Sequence, residues 1–252
     1  MALYQLKIAY DGTNFLGFQK QKKGRTVQAE LENALHRLDW KGRSITAAGR
    51  TDAGVHASGQ VIAFSMSWEH PLNELQKALN ANLPNDVSVM RIKEVPDGFH
   101  PRFSAISRKY IYRIYCQEQH DPLKDRYTWR IWPLIELKRI REAAVVLVGE
   151  HDFVAFGKPP RDEAGTIRTV IMAKWVKKGN EFRFEVKANA FLYHMVRRMV
   201  FLQVRIGQGL MDRKELYLAV AGNRNIKPGI APANGLELAE VEYQKNYSGF
   251  LE

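Results

Sequence analysis

Hydrophobic and polar residues follow one another along the first hundred residues in a pattern that predicts four strands and two helices. Leu6 and Ile8 share one face of a strand predicted over residues 3–10, because side chains two apart on a strand point the same way. After Thr26, a candidate N-cap, the apolar residues recur at helical spacing. The remaining elements predicted in this half are strands over 44–48, 60–66 and 87–93 and a helix that begins at Pro71. The order β-α-β-β-α-β is that of a ferredoxin-like unit.

The second half of the chain repeats this order of elements. A tyrosine-rich strand over 109–116 precedes a helix, and the polar residues 150–152 after that helix are interpreted as a turn. Further predicted elements are a hairpin of strands over 166–176 and 181–187, a long apolar helix over 190–206, a short helix with a capping box at Asp212 and Glu215, and a strand over 236–243. We therefore predict an α+β fold of two ferredoxin-like halves, residues 1–105 and 106–252. The halves are expected to form one extended antiparallel sheet with helices on one face and a central cleft.

The chain is basic, with 38 lysine and arginine residues against 27 aspartate and glutamate residues and a net charge of +11. This excess favours an acidic partner, of which nucleic acid is the commonest, although a basic enzyme without such a partner would have the same composition. The single cysteine, Cys116, excludes an internal disulfide and a cysteine-rich zinc site. The longest apolar run, 143–148, is far shorter than the roughly 20 residues that cross a bilayer, so a cytoplasmic protein is expected.

Several motifs of common enzymes are absent, among them the phosphate-binding P-loop, the HExxH zinc motif and the GxSxG nucleophile elbow. The candidate chemistry lies in the loop 49–56, which separates two predicted strands and carries Asp52 two residues after Arg50. A carboxylate beside a cation stays ionised and can act as a nucleophile or a base. The alternative is a turn residue that bonds its own backbone. His56 and His194 are candidate catalytic residues by type, and a hydrogen-bonded structural imidazole is the favoured alternative for both.

Residues 49–57, GRTDAGVHA, resemble the signature of the tRNA pseudouridine synthase A family. Other segments that resemble the family follow in its order: YDGT from Tyr10, GFQ from Gly17, RTVQ from Arg25, FHPRFS from Phe99, RKYIY from Arg108, GEHDF from Gly149, KANAFLYHMVR from Lys187 and APANGL from Ala231. The resemblance implies an isomerase that converts uridine to pseudouridine in the anticodon stem-loop of tRNA, with no cofactor and no metal. It also implies a homodimer, and a fold of two ferredoxin-like halves with the active site in the cleft.

The resemblance further implies roles for single residues. Asp52 matches the family's essential aspartate, and whether it attacks the ribose, attacks the base or removes a proton stays open. Tyr110 matches the aromatic residue that stacks on the target base, which would replace the stacking lost when the uridine leaves its helix. Arg197 matches the arginine that pairs with the aspartate, and Arg50 matches a loop arginine near the RNA. Taken alone, Tyr110 could be a core tyrosine and Arg197 a surface residue.

Contacts to phosphate are expected to supply most of the affinity for RNA and to make binding strongly dependent on salt. The candidates are Arg25, Arg102, Arg108, Lys109 and Arg168, with Lys20, Lys22, Lys23 and Arg161 as further basic residues of the same kind. Two other functions stay open. One is a non-catalytic RNA-binding or RNA-chaperone protein on the same scaffold, and the other is a small-molecule isomerase or lyase that uses Asp52.

Overall fold

The computed structural model describes residues 1–159, 165–223, 229–244 and 247. Within these ranges the fold is mixed α/β, with ten strands, paired mostly antiparallel, and six α-helices. In chain order the elements are β1 (Ala2–Tyr10), α1 (Val27–Arg37), β2 (Thr46–Ala47), β3 (His56–Met66), α2 (Leu72–Asn82), β4 (Val87–Val95), β5 (Ala105–Cys116), α3 (Pro122–Asp125), β6 (Trp129–Ile131), α4 (Leu137–Val146), β7 (Gly149–Asp152), β8 (Ile167–Lys178), β9 (Glu181–Ala188), α5 (Met195–Gly207), α6 (Arg213–Val220) and β10 (Leu236–Tyr243). None of the helices in the described ranges is long and apolar enough to span a membrane. The chain divides into two compact units, one of residues 1–107 and the segment from 237 onward, the other of residues 108–236.

The first unit is built around β1, which pairs antiparallel with β3 on one side and with β4 on the other. β2 also pairs antiparallel with β3, and β10 adds a short parallel pairing at the start of β3. Leu6 and Ile8 are buried on the same face of β1, as the alternation predicts, and Leu6 lies opposite Ile62 of β3. The two helices bury leucines at helical spacing, namely Leu31 and Leu35 in α1 and Leu75 and Leu79 in α2.

A second apolar cluster lies in the same unit and involves alternate residues of β3. Its buried members are Ala48, Val61, Ala63, Val95, Phe99 and Tyr243. Ala48 comes immediately before the loop 49–55, and Phe99 comes immediately before residues 100–104. Burial of these two side chains therefore anchors one end of each loop, so that the polar residues that follow are placed by a packed core.

In the second unit, β9 pairs antiparallel with β5 on one side and with β8 on the other. β7 pairs with β8, and β6 runs parallel to β5. The indole N–H of Trp175 donates to the buried Gln203 of α5 at 2.8 Å, which ties this helix to β8. The arrangement places Tyr110 in β5, opposite Val186 of β9, and Arg197 in the first turn of α5. The largest buried side chains include Tyr112, Phe153, Phe182 and Phe184.

Two sequence predictions are wrong in this unit. The turn predicted over 150–152 is part of strand β7, because β8 supplies partners for its backbone and His151 lies opposite Arg168. The long helix predicted from residue 190 begins only at Met195. The backbone N–H of Tyr193 donates to the Lys158 carbonyl at 3.0 Å, and His194 adopts a left-handed φ of 66°, so the chain before α5 is held in a non-helical bend.

Candidate active site

The loop that carries Asp52 closes in a tight turn. The backbone N–H of Val55 donates to the carbonyl of Asp52 at 3.2 Å, and the Asp52 side chain is half-buried. Gly54, the third residue of the turn, has a φ of +76°, a backbone angle that residues with a Cβ atom rarely adopt. Gly49 in the same motif lies outside the left-handed region and has open space where a Cβ would be. Of these two glycines, only Gly54 is therefore required by the conformation of the backbone.

A neighbouring segment of the chain, residues 10–18, braces this loop. The Phe18 N–H donates to the Thr51 carbonyl at 3.0 Å, and the Gly54 N–H donates to the Phe15 carbonyl at 3.3 Å. The hydroxyls of Tyr10 and Thr51 are 2.8 Å apart and hydrogen bonded. The backbone on both sides of Asp52 is thus fixed by partners more than thirty residues away in sequence, which limits the positions that its carboxylate can take.

His56 takes part in the same brace through its backbone-facing nitrogen. The Gly12 N–H donates to Nδ1 of His56 at 3.0 Å, and a carboxylate oxygen of Asp11 lies 3.1 Å from the same nitrogen. The side chain is buried at the start of β3. These contacts favour the structural interpretation of His56 over a direct catalytic one, because its Nδ1 is engaged by groups that hold the loop.

Arg25, which the sequence suggests as a phosphate contact, has several partners within the protein. Its guanidinium forms a two-pronged pair with the Asp86 carboxylate at 2.6 and 2.8 Å and donates from Nε to Glu30 at 2.7 Å. The same group lies 4.2 Å from the centre of the Phe15 ring. The hydrogen bonds to Asp86, with those to Glu30, raise the pKa of Arg25 against the opposing effect of burial. The side chain therefore holds the segment that braces the Asp52 loop.

Tyr110 lies half-buried on β5 of the second unit. The ring of Phe191 meets it edge-to-face, with the ring centres 5.0 Å apart and the planes at 84°. Tyr112, two residues further along the same face of the strand, is completely buried and donates its hydroxyl to the Pro232 carbonyl at 2.8 Å. Burial raises the pKa of Tyr112. Tyr112 is thus a core residue of this unit, whereas Tyr110 is partly open to solvent.

Arg197 is held at the beginning of α5 by the chain near residue 231. Its Nε donates to the Ala231 carbonyl at 2.7 Å, and the Ala231 N–H donates to the Arg197 carbonyl at 3.2 Å. Immediately before the helix, the rings of Tyr193 and His194 stack with centres 3.7 Å apart. The two hydrogen bonds between Arg197 and Ala231 fix the stem of the arginine side chain and direct its guanidinium. Arg197 is therefore a positioned cation rather than a loose surface side chain.

The other basic residues differ in how far they are exposed. Arg50, Lys22 and Lys23 are exposed. Arg102 and Arg108 are half-buried, and Arg108 donates to the Asn189 carbonyl at 2.8 Å. Exposed and half-buried cations of this kind can reach the phosphates of a bound nucleic acid.

A second group of basic residues is engaged within the fold. Lys109 pairs with the buried Glu185 at 3.1 Å, and Lys20 pairs with Glu32 at 2.9 Å. Burial alone would raise the pKa of Glu185, but the hydrogen bond and charge of Lys109, helped by two further cations, hold it below its usual value. Arg168 is buried and donates to the Ile167 carbonyl at 2.7 Å. Arg161 lies outside the described residues.

The model of one protein family, described as tRNA pseudouridine synthase, matches residues 7–104 and 143–244 of this chain. This chain belongs to the tRNA pseudouridine synthase family. The matched ranges include Asp52 and Arg197, whereas Tyr110 lies between them.

Curated relatives in the tRNA pseudouridine synthase family match nearly the whole chain. The tRNA pseudouridine synthase A of Halalkalibacterium halodurans is 39% identical over 92% of this chain and 89% of its own length. That of Latilactobacillus sakei is 40% identical over 96% of this chain and 98% of its own length. A crystal structure of a Cbf5–Nop10–Gar1 complex is similar with a TM-score of 0.38 and 12% identity, over 94% of this chain and 49% of that chain, a likeness too weak to support an argument.

For a tRNA pseudouridine synthase, the described geometry adds residues that the sequence did not single out. Phe191 contacts the ring of Tyr110, and Asp86 holds Arg25. Both partnerships join residues more than sixty positions apart, so no local pattern indicates them. Among the described residues, no group of three His, Cys, Asp or Glu side chains is placed to hold a metal ion.

Proposed function

We propose that this protein isomerises uridine to pseudouridine in the anticodon stem-loop of tRNA, with Asp52 as the catalytic carboxylate. Membership of the tRNA pseudouridine synthase family establishes the class of reaction and the substrate, an isomerisation of uridine in tRNA. The observation that supports the assignment to Asp52 is its position in a turn whose backbone is held on both sides by residues 10–18. A preorganised carboxylate of this kind can act without paying for reorganisation during the reaction.

The reaction exchanges one bond of the nucleoside for another. The bond between C1′ of ribose and N1 of uracil breaks, the uracil turns while it stays bound, and a bond forms between C1′ and C5. The proton on C5 leaves and N1 gains one, so that substrate and product have the same atoms. Asp52 is suited to attack or stabilise the electron-poor centre, or to remove the proton from C5. Uracil must not escape while it is detached, which favours a site that excludes water.

Tyr110 and Arg197 complete the proposed site. The proposal gives Tyr110 the role of stacking on the flipped-out base and Arg197 the role of pairing with Asp52. Support for these roles comes from the edge-to-face contact that orients Tyr110 and from the reciprocal hydrogen bonds that fix Arg197. Arg50 is assigned to the RNA near the reacting nucleotide, because it is exposed two residues before Asp52.

The proposal extends to the finer fold and to the setting of the protein. Each half is proposed to be ferredoxin-like, with both contributing to one sheet and a central cleft, which agrees with the β-α-β-β-α-β order of the first six elements. A homodimer in the cytoplasm is proposed as the working form. A measurement of the mass in solution by light scattering tests the homodimer, and localisation of the tagged protein in cells tests the cytoplasmic location.

The decisive experiment measures pseudouridine at each position of an unmodified tRNA transcript. The wild type should modify uridine in the anticodon arm, and Asp52→Asn should lower the rate by at least about 1000-fold, since a neutral amide replaces the reacting carboxylate. The dissociation constant for tRNA should change by less than about threefold. Asp97→Asn, a change of an exposed aspartate in the same unit, is the matched control and should leave both measurements unchanged.

The result also separates the alternative function. A non-catalytic RNA-binding protein predicts that wild type and Asp52→Asn bind tRNA equally and that neither produces pseudouridine. That outcome would refute the proposed activity, as would full activity in Asp52→Asn.

A further inference from the structure

Residues 100–104 of the first unit form a loop that is unusually well fixed by its own hydrogen bonds. The Ser104 N–H donates to the His100 carbonyl at 2.9 Å, and the His100 N–H donates to the Ser104 hydroxyl at 3.1 Å. The Arg102 N–H donates to Nδ1 of His100 at 3.1 Å. At the base of the loop, the Tyr243 hydroxyl donates to the Pro101 carbonyl at 2.9 Å. The backbone of this short loop is therefore committed to one shape.

The loop presents an aromatic ring to solvent. Phe103 is 72% exposed although it belongs to a rigid loop next to a packed cluster. The His100 ring lies 4.4 Å from the Phe103 ring, tilted by 34°, and the Arg102 guanidinium lies 5.6 Å from the centre of the same ring. The phenyl ring is not packed into the core, and most of the surface of the ring is open to solvent. Exposing a phenylalanine in this way costs hydrophobic free energy that a bound partner can recover.

We propose that the Phe103 ring, flanked by His100 and Arg102, is a stacking platform for an unpaired base of the RNA substrate, at a position other than the reacting uridine. The ligand class is a nucleobase attached to a phosphate backbone. An aromatic ring stacks on any base because every base has a flat π-face, and an adjacent arginine contributes both a cation–π interaction and attraction to phosphate. The identification of the RNA as tRNA rests on the proposed function.

The neighbours of Phe103 favour a base over an apolar protein surface. Its ring contacts an imidazole and a guanidinium, both of which stack readily on bases. A docking site for an apolar segment would instead join Phe103 to other apolar side chains. The fixed backbone also matters, because a ring that is already held in place loses little conformational freedom when a base stacks on it.

The test compares binding by Phe103→Leu with binding by the wild type. Leucine keeps an apolar side chain at the loop and removes the flat ring. The probes are an unmodified tRNA transcript, an oligouridylate of about ten nucleotides, and an abasic oligomer of the same length and charge. Phe103→Leu should weaken binding of tRNA and oligouridylate at least about fivefold, equal to about 1 kcal/mol, and should change binding of the abasic oligomer by less than twofold. Phe103→Tyr keeps the ring and should bind as the wild type does.

Tyr217→Leu is the matched control for an exposed aromatic ring beside an arginine. Tyr217 is 52% exposed on α6, and the Arg213 guanidinium lies 5.9 Å from its ring. This variant should bind all three probes as the wild type does. Thermal melting of each variant establishes that it is folded, and Phe103→Tyr provides the ring comparison in a second folded protein.

Several outcomes would overturn the platform. Equal affinity of the wild type and Phe103→Leu for tRNA would do so, as would an equal loss on the abasic oligomer, which would indicate a backbone contact. A change in oligomeric mass of Phe103→Leu without a change in RNA binding would assign the ring to a protein interface. A wild type that binds RNA but forms no pseudouridine would refute the proposed function and leave this comparison of affinities intact.

Discussion

Gly12 packs directly against the backbone of Val55, so closely that a Cβ atom on residue 12 would lie 2.0 Å from the Val55 carbonyl oxygen. The contact joins the segment after β1 to the end of the Asp52 loop. The hydrogen bond from the Gly12 N–H to His56 lies at the same place, so packing and hydrogen bonding together fix where the loop returns to β3. The position of Asp52 therefore depends on a residue forty positions earlier in the chain.

Gly12→Ala should destabilise the protein because the added methyl group cannot be accommodated without moving the Val55 backbone. We expect the free energy of unfolding to fall by about 2–4 kcal/mol, with a loss of pseudouridine formation in the fraction that stays folded. Urea denaturation and a tRNA modification assay measure the two effects.

Gly49→Ala is the control for this change, since it alters a glycine of the same loop that has open space around it. Its free energy of unfolding should stay within about 0.5 kcal/mol of the wild type. Equal stability of both alanine variants would contradict the close contact of Gly12 with Val55.

Arg25→Lys keeps the positive charge but loses the planar fork that bonds both oxygens of Asp86. The free energy of unfolding should fall by about 1 kcal/mol, a modest value because the pair is partly exposed to solvent. Activity should also fall, because residues 15–18, which brace the Asp52 loop, would be held less firmly. Arg43→Lys, at an exposed arginine, should change neither quantity. If Arg25 acted only as a phosphate contact, lysine would preserve stability and activity.

Phe191→Leu should lower activity, because the Phe191 ring orients the ring of Tyr110. The edge-to-face contact is lost, the Tyr110 ring becomes free to turn, and kcat/KM for tRNA should fall about twofold to tenfold. Phe191→Tyr keeps the aromatic edge and should restore most of the activity. Steady-state kinetics on an unmodified transcript provide the measurement, and a loss of thermal stability that accounts for the whole effect would refute the positioning role.

His100 should make stability depend on pH. Burial, and then the charge of Arg102, hold the pKa of His100 below its ordinary value of 6.5, so the unfolded chain binds a proton more readily than the folded one. The contribution of the neutral His100 to the free energy of unfolding is therefore complete at pH values above 6.5, the ordinary pKa. It is lost as the pH falls from about 7 toward the lower pKa of the folded state.

His100→Asn removes this titration while it keeps a short acceptor for the backbone N–H groups of the loop. Urea denaturation between about pH 5 and 8 should give a steeper decline in acid for the wild type than for the variant. Parallel curves for the two proteins would show that His100 does not titrate differently on folding.

The sequence predicted the regular elements that depend on local patterns. The hairpin of β8 and β9 and the capping box of α6 follow from a few neighbouring residues, and both are confirmed. The start of α5 was wrong because the backbone of Tyr193 bonds to Lys158 in another part of the unit. Strand β7 was missed for a similar reason, since its polar residues become a strand only beside β8.

The motif around Asp52, together with the other segments that follow in the family's order, was sufficient for the sequence by itself to indicate the family and the candidate carboxylate, because each segment is contiguous and carries its own pattern. What only the tertiary structure decided is which side chains hold that carboxylate's loop in place. The sequence suggests Arg25 as a phosphate contact, whereas in the fold its guanidinium donates to Asp86. The sequence suggests no role for Gly12, which in the fold packs against the backbone of Val55. These partnerships arise when distant segments pack together, and the free energy of such contacts is not encoded in any short stretch of residues.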